Sequence, residues 1–382
     1  MSGFSFNTVA QVVVSSGAAR DLGEYCRQLN MRRVLLVTDP GLVAAGLIAP
    51  VADALKESLD ALVVFDGVTA DPADSVVAEA ADIASENAVE GVIAVGGGSS
   101  MDVAKVVSVL LKGTQSLASM YGVDQVQGDR LPLILVPTTA GTGSEVTPVA
   151  VITTGATTKA GVSSRVLLPD IAVLDAELTV GLPAAVTAMT GIDAMVHAIE
   201  AYTSRIKKNP LSDMLAQRAL KLLSHHLRRV LEDPTDLEAR EAMLLGSMMA
   251  GQAFANAPVG AVHALAYPLG GHYHIPHGLS NSLMLPTVLA FNAREAEQYY
   301  ADLCRSLPGN IAPSSASLIN WLVALIADSG LPGTLSEAQV PEKDLAMLAA
   351  DAMQQQRLLV NNPVPVEEAD ALQLYQTAWG AH

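Results

Sequence analysis

Between Ala242 and Ala293 the chain carries no Asp, Glu, Lys or Arg. An uncharged run of that length belongs in a membrane or in a protein interior. Gly251, Asn256, Pro258, Gly260, Pro268, Gly270, Gly271, Pro276 and Asn281 break it too often for a continuous helix facing lipid, where freed backbone groups find no partner. The segment is therefore read as interior, folded into short helices and a loop. Within it, "VGAVHALAYPLGGHYHIPHG" (259–278) holds His263, His272, His274 and His277, half of the eight histidines. A buried imidazole without a partner is costly, so these side chains need partners.

Composition narrows the classes. A length of 382 residues suggests two domains, and a chain that is half apolar and 16% charged reads as compact and globular. Against 39 acidic side chains stand 22 basic ones, a net charge of −17. That field repels phosphate backbones and anionic lipid, which argues against nucleic-acid and membrane partners and favours a small-molecule substrate. Cys26 and Cys304 alone build neither a disulfide framework nor a thiolate cluster. The opening "MSGFSFNTVAQVVV" lacks the basic and apolar regions of a signal peptide. The expectation is a soluble, cytoplasmic protein.

Short β-branched runs alternate with helical periodicity over the first 180 or so residues. "AQVVV" (10–14), "RVLLVTD" (33–39), "ALVVF" (61–65), "GVIAVGGG" (91–98) and "LPLILVP" (131–137) read as buried strands. Such alternation predicts a doubly wound parallel sheet, with "AVITT" (150–154) and "RVLLPDIAVLD" (165–175) as further strands at its edge. Beyond "LTVGLPAAV" the strand signal ends and long helices follow. This places a boundary near Pro183, between an α/β domain (1–183) and a helical one (184–382).

"EGVIAVGGGSSMDVAK" reads as strand, glycine turn and helix. Gly96, Gly97 and Gly98 let a diphosphate approach the backbone, and the helix opening near Ser99 offers free N–H groups. A plain structural turn explains the same glycines equally well. "VPTTAGTGSEVT" (136–147) adds hydroxyls and glycines suited to a phosphate or ribose, and Asp39 ends a strand where a carboxylate accepts from ribose hydroxyls and repels a 2′-phosphate. Together these favour NAD over NADP; singly, Asp39 is a turn or cap residue.

In "TGIDAMVHAIEAY" Asp193 and His197 lie four apart on one helix face, and Glu200 continues the stripe. With His263 and His277 they make three imidazoles and a carboxylate, a set for Fe(II), Zn, Ni or Mn rather than Mg or Ca. Four protein ligands plus substrate call for a coordination number above four, which favours Fe2+ over Zn2+. A surface or capping pair is the competing account of Asp193 and His197. His225, His226 and His382 read as solvated.

The motifs "GGGSSMDVAK", "PTTAGTGSE", "GIDAMVHAIEAY" and "VHALAYPLGGHYHIPHG", with the flanks "NAPVGAVHA" and "NSLMLPTVLAFN", resemble the iron-containing (group III) alcohol dehydrogenases over nearly the whole chain. Lactaldehyde/propanediol and 1,3-propanediol oxidoreductases belong to that family. The resemblance implies an N-terminal Rossmann-like parallel sheet domain and an all-α C-terminal domain, a dehydroquinate synthase-like architecture, in a homodimer or larger homo-oligomer. It implies metal on Asp193, His197, His263 and His277. It implies NAD on Asp39, Gly97, Gly98, Ser99, Thr138, Thr139 and Thr142, with further roles for Asp102, Thr147, Lys159 and Leu178.

Many relatives read H-x-x-x-H-P-L-G where this chain has "HALAYPLG", so Tyr267 replaces a histidine that relays protons. An unperturbed tyrosine, with a pKa of about 10, shuttles protons poorly at neutral pH. Tyr267 and His274 are the candidates for the proton route, with His272 or bulk water as alternatives. The expected activity is metal-dependent, NAD-linked hydride transfer between a primary alcohol and its aldehyde. The competing readings are a zinc-dependent, glycerol-dehydrogenase-like polyol oxidoreductase, a dehydroquinate-synthase-like lyase, and a non-catalytic metal-binding protein.

Overall fold

A computed structural model describes residues 3–155 and 158–380 of the chain. His382 lies outside the described residues, as do the first two residues of the N-terminal segment. The chain divides into two compact units, one spanning 7–181 and one spanning 182–380 together with 3–6.

Among the described residues the first unit holds nine strands. They are β1 (Gln11–Val14), β2 (Arg33–Val37), β3 (Ala61–Phe65), β4 (Gly91–Gly96), β5 (Gly122–Val123), β6 (Leu133–Pro137), β7 (Val149–Thr154), β8 (Thr158–Ser163) and β9 (Ile171–Leu174). Its helices are α1 (Leu22–Gln28), α2 (Pro40–Ala44), α3 (Ile48–Lys56), α4 (Asp74–Glu86) and α5 (Gly98–Leu110). Six strands form one parallel sheet in the order β1-β9-β6-β4-β2-β3.

Successive residues of the central strands feed two different cores. Leu35, Val37, Val92 and Ala94 pack with α4 and α5, whereas Val34, Leu36, Ile93 and Val95 pack with α1 and α3. Burial on both faces is why these strands read as unbroken apolar runs. The chain winds outward from β2 to β3 and then from β4 in the opposite direction, so β2 and β4 flank the switch point where open α/β sheets bind ligands.

Two edge expectations are corrected. Residues 150–154 join no edge of the parallel sheet; β7 pairs antiparallel with β8 in a separate sheet of order β5-β8-β7. Only Ala150 and Ile152 of β7 are buried, and that alternation belongs to a strand with one covered face. In 165–175 only Ile171–Leu174 is strand, and it sits between β1 and β6 rather than at the edge.

The second unit is helical: α6 (Ala184–Thr203), α7 (Pro210–Glu232), α8 (Leu237–Asn256), α9 (Ala261–Tyr273), α10 (His277–Leu303), α11 (Ser315–Asp328), α12 (Leu345–Ala352), α13 (Gln356–Leu359) and α14 (Glu368–Trp379). Every residue of α6 from Gly191 to Thr203 is buried, and the helix packs on α7, α8 and α10. A helix enclosed on all sides needs no polar face, so its polar residues have specific partners. The uncharged run forms the end of α8, all of α9 and the start of α10. Among the described residues no helix is long and apolar enough to cross a membrane.

Candidate metal and nucleotide sites

Three helices of the second unit bring four ligands together. Asp193 and His197 stand one turn apart on α6, His263 lies in the first turn of α9, and His277 opens α10. One ligand atom from each lies within 4.8 Å of all the others. The α10 approach depends on Gly278, because a Cβ there would collide with the main-chain carbonyl of Met189 on α6. A backbone obstacle cannot swing aside, so glycine is what lets His277 reach the α6 ligands.

Neighbouring side chains orient the rings. The Glu200 carboxylate accepts from His263 Nδ1 at 2.6 Å and from the Val262 main-chain N–H at 2.7 Å. Since the carboxylate accepts, Nδ1 carries the proton and Nε2 keeps its lone pair for the ligand set. Phe254 of α8 stacks on the His197 ring at 4.3 Å, and His197 stacks on His263 at 4.7 Å. The Asn281 amide nitrogen lies 2.6 Å from Asp193 Oδ1 and 3.2 Å from Nε2 of both His263 and His277. Burial raises the Asp193 pKa, but His197, His277, His263 and the Asn281 amide outweigh it and hold the group below the usual carboxylate range. Converging lone pairs with an ionised carboxylate fit a divalent transition metal.

Asp193, His197 and His263 are buried, while His277 is partly open. Beside it the Tyr267 ring lies 5.8 Å from the imidazole, and the Arg357 guanidinium lies 5.9 Å from that tyrosine ring. His274 is not in the four-residue set; it is exposed and ends α9 in the left-handed conformation, φ 55°. His272 pairs with Asp351 at 2.9 Å. His225 is exposed, and His226 Nδ1 lies 2.7 Å from the Leu222 carbonyl.

The nucleotide candidates gather at the ends of β2, β4 and β6. Asp39 caps α2, with Oδ1 accepting from the Leu42 N–H at 3.1 Å, and a Cβ on Gly96 would sit 3.8 Å from Oδ2. Gly97 caps α5 and Gly98 begins it, followed by Ser99. At Gly98 a Cβ would stand 2.8 Å from Thr142 Cγ2, and at Gly97 it would reach Thr139 at 3.7 Å, so side chains here would fill the cradle. The Thr138 N–H donates to the Gly96 carbonyl at 3.0 Å. Leu178 is buried in the α1/α3-side core, and Lys159 Nζ meets Asp71 Oδ1 at 2.6 Å.

Asp102 and Thr147 belong to a hydrogen-bond network that joins α5 to the segment after β6. Asp102 accepts from the Ser144 hydroxyl at 2.7 Å and from the Val151 N–H at 2.9 Å. Lys105 donates to Ser144 at 2.7 Å, Thr147 at 3.2 Å and the Val149 carbonyl at 2.7 Å. Burial pulls Lys105 down to about 8 against the attraction of Asp102 and Glu145. Burial also pushes Glu145 up to about 7, against its own backbone hydrogen bond and Lys105.

Sequence reasoning missed Lys105, Ser144, Glu145, Phe254 and Asn281. For Asn281 the signal was its position four residues after His277 on one helix. Phe254 leaves none.

Two family descriptions match the chain: iron-containing alcohol dehydrogenase over residues 10–176, and the C-terminal part of the Fe-containing alcohol dehydrogenase family over 187–379. Long-chain-alcohol dehydrogenase 1 of Geobacillus thermodenitrificans is 40% identical, covering 96% of this chain and 94% of its own. NAD-dependent methanol dehydrogenase of Bacillus methanolicus is 35% identical, covering 90% and 91%. A crystal structure of 1,3-propanediol oxidoreductase superposes with a TM-score of 0.95 at 32% identity, covering 99% of this chain and 100% of that one.

Proposed function

The chain belongs to the iron-containing alcohol dehydrogenase family, and we propose that it catalyses reversible hydride transfer between a primary alcohol and NAD, giving the aldehyde. The observation that carries this reading is the convergence of Asp193, His197, His263 and His277 within 4.8 Å, with Glu200 fixing the His263 tautomer. These four would hold Fe2+. When bound, the ion supplies a Lewis acid that lowers the alcohol O–H pKa, and NAD supplies the hydride acceptor.

The remaining chemistry belongs to the chain's own residues. Asp39 takes the adenosine ribose hydroxyls, and its negative charge disfavours a 2′-phosphate. Gly97, Gly98 and Ser99 present the α5 N-terminus to the diphosphate, flanked by Thr139 and Thr142. Thr138 fixes the loop, Asp102 and Thr147 brace it, and Lys159 and Leu178 complete the cofactor's surroundings. Tyr267 lines the open side of the metal site beside His277, where its ring excludes water and its hydroxyl offers a hydrogen bond. Tyr267 and the exposed His274 are the candidates to carry the alcohol proton to solvent, with His272 or bulk water as alternatives. A small alcohol, no nucleic-acid or membrane partner, a cytoplasmic setting and a homo-oligomeric assembly complete the proposal.

The test is anaerobic purification, metal analysis and NADH formation over primary, secondary and vicinal alcohols. Iron with turnover on primary alcohols is expected, and His263→Ala should lose metal and roughly a thousandfold in kcat/KM. A His263→Ala protein that keeps its metal would sink the ligand assignment. Zinc with a preference for vicinal diols would favour a polyol oxidoreductase instead.

A further inference from the structure

Asn281 lies on α10 one turn after His277 and is fully buried. Its amide nitrogen lies 2.6 Å from Asp193 Oδ1 and 3.2 Å from Nε2 of both His263 and His277, and its N–H groups are the donors because the carboxylate and the Nδ1-protonated His263 ring can only accept there. On the same amide, Oδ1 is buried without a hydrogen-bond partner, one of four such side-chain atoms among the described residues. An unpaired buried oxygen is expensive, and an apolar side chain of the same shape would avoid that expense. The polar work of this amide is therefore done by its nitrogen, on the ligand set.

Carboxylates ligate ions through one oxygen or through both. Resting on the metal reading above, we propose that Asn281 is a positioning residue of the metal centre: its amide ties down Asp193 Oδ1 and keeps the carboxylate from swinging round to chelate. The shortest of the three Asn281 contacts, 2.6 Å to Asp193, is the one that restrains this rotation. Asn281 follows His277 by one turn on the same face of α10, so seating the histidine also seats the amide. Asn281 touches neither cofactor nor substrate in this role; it acts through Asp193.

Co2+ is the probe, because its visible d–d bands weaken as coordination number rises. The full-length protein, stripped of metal, is titrated with Co2+ alongside Asn281→Leu, Asn281→Ala and His263→Ala. Wild type should bind one ion, His263→Ala should fail to, and both Asn281 variants should bind about 10- to 100-fold more weakly, with weakened bands. Should the leucine variant not fold, the alanine variant decides. Unchanged affinity in the Asn281 variants overturns their role and leaves the metal reading standing. Weaker binding with unchanged bands also overturns it, since a packing defect would not free the carboxylate. A wild type that binds no Co2+ overturns both readings.

Discussion

The candidate nucleotide cradle and the candidate metal cluster are built in opposite ways. In the sheet unit the candidate contacts are mostly backbone, at Gly97, Gly98 and the first turn of α5, and they follow directly from where β4 stops. In the helical unit the contacts are side chains from α6, α9 and α10, and none of them forms a site alone. A backbone site is robust to side-chain identity as long as small residues stay small. A side-chain site depends on helix packing that must be right to within about an ångström. The two should therefore respond differently to equally modest substitutions.

The largest difference is expected at glycines. Gly278→Ala drives a Cβ into the Met189 carbonyl, which cannot rotate away, so α10 must shift and carry His277 with it. We expect kcat to fall about 100-fold with a clear loss of bound metal. For Gly98→Ala the three atoms nearest the new Cβ all belong to the Thr142 side chain, and trimming that residue with Thr142→Ser should restore much of the lost NAD affinity. If both glycine variants lose activity alike and neither is rescued, the contrast between the sites is wrong.

Next in size is Glu200→Gln. The amide can still accept at His263 Nδ1 but without charge, so metal affinity should drop about 10- to 100-fold while NAD binding stays unchanged. Competition with a chelator measures the first and fluorescence titration the second. On the nucleotide side, Asp39→Ala should lower kcat/KM for NAD about tenfold and narrow the preference over NADP, with up to about 1 kcal/mol of α2 capping also lost. An unchanged NAD/NADP ratio would remove Asp39 from the ribose site.

The smallest expected effect is on stability alone. Glu145 has its folded pKa raised to about 7 from 4.5, so its stabilising contribution is full below 4.5 and is lost as pH rises through 7. Glu145→Gln keeps the neutral form at every pH. Its unfolding free energy, read from denaturant titrations, should therefore gain on wild type as pH goes from 5 to 8, by an amount on the order of 2 kcal/mol. A difference that stays flat across that range would show that Glu145 is not held neutral by its surroundings.

How much was legible varies with how local the cause is. The parallel strands could be read because β2, β4 and β6 are buried on both faces and need apolar residues at every position. Residues 150–154 were misplaced because a half-buried strand in a small antiparallel sheet uses the same residue types, and nothing local names its partner. The candidate metal ligands were legible on α6 from their four-residue spacing, and on α9 and α10 from histidines stranded in an uncharged run.

By itself, then, the sequence determined the element types, the switch from sheet to helices, the glycine turn after β4 and the four residues of the candidate metal site. Those properties reside in residue type and short-range period, which the chain carries wherever it folds. Only the tertiary structure decided that Glu200 faces His263, that Phe254 stacks on His197, that Lys105 braces the loop at Ser144, and that Asn281 reaches across to Asp193. Each of those contacts joins helices or loops far apart in the chain, and it exists only once packing has set their separation. The candidate ligands are written in the chain; their orientation is made by the fold.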